Sequence, residues 1–109
     1  MNRQLSQHAR DWIARIIDTE AFPGEMTDAK IGATIQQTRE TVGYYRRQME
    51  ILAASERREL AVLRMVRRED KRRPLTDGQL AERAGVCRQA ASVIRKRLEI
   101  APVHERRAA

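Results

Sequence analysis

The stretch CRQAASVIRKRL, residues 87–98, places Arg88, Gln89, Ser92 and Arg95 on the outer side of a helix whose inner side is Ala91, Ile94 and Leu98. These are groups that read base edges. Arginine forks onto guanine, glutamine onto adenine, and serine can hydrogen-bond to either. Lys96 and Arg97 follow late in the helix, where side chains climb toward the phosphates. TRETVGYYRRQM, residues 38–49, has the same layout, with an outward set of Arg39, Glu40, Gly43, Tyr44, Arg46 and Arg47. Here Arg39, Glu40 and Tyr44 are the base-contact candidates. Glu40 can accept from cytosine N4. Tyr44 can stack on a sugar or touch a thymine methyl, or equally pack on the first helix. Thr38, Arg46 and Arg47 are phosphate candidates, with Thr38 also suited to cap the helix. Three flanking pairs, Arg57-Arg58, Arg72-Arg73 and Arg106-Arg107, can clamp phosphates or form solvated helix faces.

The elements that must hold these residues repeat. Residues 26–58 lie over residues 75–107 without a gap, and nine of the 33 positions are identical, among them Thr27/Thr76, Asp28/Asp77, Arg39/Arg88, Arg46/Arg95 and Ile51/Ile100. Upstream, Trp12, Ile13, Ile16 and Ile17 fall over Ala61, Val62, Met65 and Val66, each set an i, i+1, i+4, i+5 stripe of an amphipathic helix. The pattern predicts helices near 3–19, 28–35, 39–50, 55–69, 77–84 and 88–98. The fold class is all-α, a tandem duplication of three-helix (helix-turn-helix) units over 1–54 and 55–109. A Thr-Asp pair opens each middle helix, either residue able to accept its free amides. Gly85 suits the tight turn of the second unit because it tolerates a positive φ, whereas the first unit has Gln36-Gln37 there. Cys87 is a poor cap, so the helix it opens is expected to fray slightly. Residues 68–74, REDKRRP, read as a solvated turn, and Pro102 bars extension of the last helix.

Charge is uneven along the 109 residues: net zero over 1–50 and +7 over 51–109. Such a balance favours a polyanion, nucleic acid first and an acidic protein or membrane surface second. Few aromatics leave a core of Ile, Leu, Val, Met and Ala. One cysteine excludes an internal disulfide, and His8 and His104 lack partners at zinc-site spacing. No signal-peptide core or membrane-length run is seen, which points to the cytoplasm and no membrane partner. No nucleotide-binding, metalloprotease or hydrolase motif is present, so no enzyme and no cofactor are expected. Cys87 beside its helix could sense redox state, but a buried or neutral cap is the simpler reading.

At Arg39, Thr41, Val42, Tyr45 and Arg46 the chain resembles the C-terminal DNA-binding box of the bacterial sigma-54 transcription factor, Ala-Arg-Arg-Thr-Val-Ala-Lys-Tyr-Arg. Met26-Thr27-Asp28 matches the start of that family's preceding helix, and the resemblance covers about 35 residues. Glu40, Gly43 and Tyr44 depart from the box. The resemblance implies a helix-turn-helix that reads a promoter element. GVCRQAASVIRKRL resembles repressor-like recognition helices more generally.

The expectation is a transcriptional regulator binding double-stranded DNA through two tandem helix-turn-helix units, able to fill successive major-groove faces about 34 Å apart. A homodimer through the Trp12–Ile17 stripe or the 55–69 helix is a further partner open to it. The alternative is a small adaptor or inhibitor docking on RNA polymerase or another regulator.

Overall fold

In the computed structural model, which describes residues 3–107, every regular element is a helix. These are α1 (Arg3–Asp18), α2 (Asp28–Ile35), α3 (Arg39–Gln48), α4 (Ala54–Arg68), α5 (Asp77–Ala84), α6 (Arg88–Arg97) and α7 (Val103–Arg106). Six of the seven begin and end within two residues of the positions expected from periodicity. The seventh, α7, is unforeseen. α6 stops at Arg97, before Pro102, and Pro102 then stands ahead of α7 as its extended N-cap (φ −60°, ψ 160°), where a missing N–H interrupts no helical hydrogen bond. The chain divides into two compact units, Met1–Arg57 and Arg58–Ala109.

In the first unit α1 packs on α2 and α3, and α2 on α3. Ile13, Ile31 and Val42 are fully buried, with Ala9, Ile17 and Tyr45 around them. Each such aliphatic side chain contributes roughly 1.5–3 kcal/mol relative to leaving it in water. The inward stripe of α1 is Ala9, Ile13 and Ile17, one turn apart. Trp12, expected in that stripe, is 42% exposed. Its indole N–H donates to His8 Nε2 at 2.9 Å, and the Arg15 guanidinium lies 5.9 Å from its ring centre. In the second unit α5 packs on α6. Leu75, Leu80, Ala81 and Ala91 are buried against Met65, Val66 and Val86, while Val62, Ala84 and Ile94 are buried against Ala61 and Leu98.

The connections between the short helices take three residues each. Gln36 ends α2 in the left-handed region at φ 59°, and Gly85 ends α5 at φ 73°. The backbone closes tightly behind both: Gln37 N–H reaches Gly32 O at 2.9 Å and Val86 N–H reaches Ala81 O at 3.0 Å. Gly32 is pressed hardest, since a Cβ there would run into the Gln37 carbonyl oxygen. The caps are local. Thr27 accepts from Lys30 N–H and Thr38 from Thr41 N–H, both at 3.2 Å. Thr76 and Gln79 form a reciprocal capping box. Cys87 does cap α6, with Sγ accepting from Ala90 N–H at 3.4 Å, a weaker acceptor than a hydroxyl; it is exposed, not buried.

Buried arginines close each unit. Arg46 donates through Nε and Nη2 to Asp28 at 2.9 and 3.1 Å, and through Nη1 to Ile51 O at 3.0 Å. Forty-nine residues on, Arg95 does the same to Asp77 at 2.8 and 3.3 Å and to Ile100 O at 2.9 Å. Arg57 forks onto Glu20 at 2.9 and 3.2 Å and donates to Met26 O and Leu52 O. Arg106 repeats this on Glu69, Leu75 O and Ala101 O. The aspartates sit just after the Thr caps and serve arginine, not the helix amides. Glu69, expected in a solvated turn, has a side chain only 7% exposed.

These pairs are well satisfied, which is what makes buried charge tolerable. No buried side-chain nitrogen or oxygen among the described residues lacks a partner. The hydrogen bond from Arg95 holds the Asp77 carboxyl below the usual range against the opposing effect of burial, with Ser92 adding to it. Burial pushes Glu20 up, but the Arg57 hydrogen bond and the Met26 and Gly24 amides outweigh it, leaving the carboxyl lowered.

Candidate nucleic-acid interface

α6 owes its direction to its inner face. Ala91 and Ile94 enter the core and Arg95 is anchored on Asp77, so Arg88, Gln89, Val93 and Lys96 are turned outward and exposed. Arg88 and Gln89 stand on the first turn and Lys96 on the last. α3 is oriented likewise by Val42, Tyr45 and Arg46, leaving Arg39, Glu40, Tyr44 and Arg47 exposed.

Several residues expected at the interface lie elsewhere. Arg95 and Arg46 are each 6% exposed and spend their donors inside, so neither reaches a base or phosphate. Arg57 and Arg106 have side chains 11% and 10% exposed, held by glutamates and backbone carbonyls. Ser92 is half-buried and its hydroxyl serves Asp77. The matching residue on α3, Gly43, is buried rather than outward. Thr38 uses its hydroxyl on Thr41, accepting from the amide and donating to Oγ1 at 2.9 Å. Arg58 is half-buried and already engaged.

The remaining candidates are accessible. Arg39 and Glu40 pair with each other at 3.1 Å, with side chains 74% and 73% exposed. Such an exposed pair contributes little and opens readily. The Glu40 backbone N–H and then Arg39 hold its carboxyl below the usual range. Ionised, it suits the cytosine amino group and repels phosphate. Arg97 is exposed and pairs with the less exposed Glu59 at 2.6 Å. Arg47, Arg72, Arg73 and Arg107 are exposed.

Two features escaped sequence reasoning. Val93 is 48% exposed on the outer face, at the position that Tyr44 occupies on α3. Tyr44 is also held in place: Gln48 Nε2 donates to its hydroxyl at 2.8 Å, and Arg10 donates to Gln48 Oε1 at 2.7 Å. The Tyr45 ring meets it edge-on at 5.6 Å. The sequence signal for Val93 was its alignment with Tyr44, an apolar residue on an otherwise polar face.

Among the described residues no three His, Cys, Asp or Glu side chains are grouped to hold a metal ion, and no helix is long and apolar enough to cross a membrane. No protein-family model, curated protein or solved structure matches this chain.

Proposed function

We propose that the chain is a tandem duplication of a three-helix, helix-turn-helix unit and acts as a sequence-specific regulator that binds double-stranded DNA. The observation that carries the reading is the exposed face of α6. With Arg95 and Ser92 turned inward, Arg88 and Gln89 remain at its start and Lys96 near its end. Base-reading groups at the first turn with a cation beyond them are the arrangement a helix needs to enter a major groove. Residues 58–109 carry 14 Lys and Arg against seven Asp and Glu, a field that draws a polyanion. The repetition of the Arg46–Asp28 contact as Arg95–Asp77 supports one scaffold used twice. The likeness to the sigma-54 box adds to the scaffold more than to the target. Of its five matched residues, Val42, Tyr45 and Arg46 are buried.

The first unit supports a second reading. Residues 1–57 are balanced at eight acidic and eight basic, and Trp12, Phe22, Tyr44 and Leu52 are exposed there. Such a surface suits protein docking, as in an adaptor or inhibitor of RNA polymerase or another regulator.

The test is iterative selection of the full chain on random duplex DNA, followed by titration of winners and scrambled duplexes at two salt concentrations. Specific binding should exceed scrambled by at least about 10³-fold. Arg88→Ala and Gln89→Ala should erase most of that ratio. Lys96→Ala should weaken both duplexes alike and reduce the salt slope by about one phosphate contact. Equal binding to every duplex, vanishing at physiological salt, would remove DNA as the target and leave protein docking.

A further inference from the structure

We propose that Val93 gives the site that α6 reads a preference for a thymine methyl, at a base pair neighbouring the one met by Gln89. The inference rests on the DNA-binding reading above and deepens it.

Val93 is the large hydrophobic side chain that the second unit leaves exposed among its described residues. Its neighbours on α6 turn inward: Ala91 and Ile94 are in the core, and Ser92 serves Asp77. Val93 stands one helical turn beyond Gln89, so the two Cβ atoms are about 6 Å apart on one face. That separation lets two side chains address adjacent base pairs. Around it are Arg88, Gln89 and Lys96, all exposed. An apolar protein surface covering Val93 would have to desolvate those two cations and the Gln89 amide as well.

The major groove meets both demands. Its floor has acceptors for Arg88 and Gln89, and the one apolar group it presents is the C5-methyl of thymine. Valine is suited to this because branching at Cβ fixes χ1 and therefore its methyl positions. Tyr44 at the same register on α3 keeps an apolar surface there but adds a hydroxyl held by Gln48. The two helices therefore differ in what they ask of the equivalent base pair, and the full site is unequal in its halves.

The experiment uses the full chain and the duplex enriched by selection, with each thymine replaced in turn by deoxyuridine, which removes the methyl and nothing else. At one thymine the replacement should weaken binding about 3–5-fold, the effect of losing one buried methyl. In Val93→Ala, the thymine and deoxyuridine duplexes should bind equally at that position. Unchanged helix content by circular dichroism would show that the variant is folded. Indifference of the native chain to every replacement, on a duplex it still binds specifically, overturns the role of Val93 and leaves DNA binding intact. A methyl effect that persists undiminished in Val93→Ala overturns that role in the same way. Failure to enrich any duplex overturns both.

Discussion

The α2–α3 and α5–α6 pairs are fastened alike and finished differently. Both are bolted by an arginine on an aspartate 18 residues before it and a carbonyl five residues after it. Both end their last helix with a glutamate in the left-handed region, Glu50 at φ 59° and Glu99 at φ 58°. Away from those points they diverge. The second pair has glycine at its left-handed turn where the first has Gln36, and a full capping box where the first has Lys30, which cannot return the hydrogen bond. The first has the better cap on its last helix, Thr38 against Cys87. On the surface Arg10–Gln48 becomes Glu59–Arg97, the same contact with new groups at both ends. The arginine–carboxylate contacts coincide; the turn, the caps and most of the outward residues differ.

The bolts should be the most sensitive. Arg95→Ala leaves Asp77 without its partner and should cost the second unit about 2–3 kcal/mol, less than for a fully buried pair because the Asp77 side chain is 24% exposed, while Arg88→Ala, seven residues earlier and exposed, should change stability by less than about 0.5 kcal/mol. Trp12, the sole tryptophan, lies in the first unit and reports it by fluorescence. Arg46→Ala should therefore move the Trp12 denaturation midpoint far more than Arg95→Ala does. Equal shifts would mean that the units do not unfold separately.

Acid should attack the same contacts. The Asp77 and Glu20 carboxyls are lowered in the fold. The stability they supply is thus complete above their ordinary values, near 4, and is lost as pH falls through the lower folded values. Urea midpoints should be flat from about pH 7 to 5 and drop below about pH 4. Asp77→Asn should begin less stable and show a shallower drop.

Exchanging the inner-face residues is the next test. Gly32→Ala places a Cβ against the Gln37 carbonyl and should destabilise the first unit by about 1–3 kcal/mol. Ala81→Gly, the reverse change at the matching position, should cost about 1 kcal/mol through helix propensity. If Gly32→Ala were neutral, the first turn would be as roomy as the second. An effect the size of that of Ala81→Gly belongs to the turn itself. Gln36→Gly should stabilise the first unit by about 1 kcal/mol by relieving a left-handed side chain, and Gly85→Gln should destabilise the second by a similar amount. Thermal denaturation followed by circular dichroism and by Trp12 emission checks both.

Identity across the repeat marks the scaffold more often than the outward face. Asp28 and Asp77, Arg46 and Arg95, and Arg57 and Arg106 are identical across the repeat, as are Glu20 and Glu69 just before the compared stretch. A buried arginine and its carboxylate depend on each other, so the two recur together where the same packing recurs. Arg39 and Arg88 share the identity yet stay exposed, so the rule sorts most residues and not all. The remaining difficulty is distance: Glu69 looked solvated in REDKRRP because its partner, Arg106, lies 37 residues away.

What the sequence by itself determined is local. Hydrophobic period, Thr caps and turn residues act within a few positions, so helix ends and the three-residue turns could be read directly from the chain. Which arginines are spent inside and which face outward was decided by tertiary structure. An arginine is long and always charged, and its resting place depends on whether a carboxylate and a carbonyl converge on it from elsewhere in the chain. Arg95 and Lys96 are adjacent and both cationic; folding bolts one to Asp77 and leaves the other exposed.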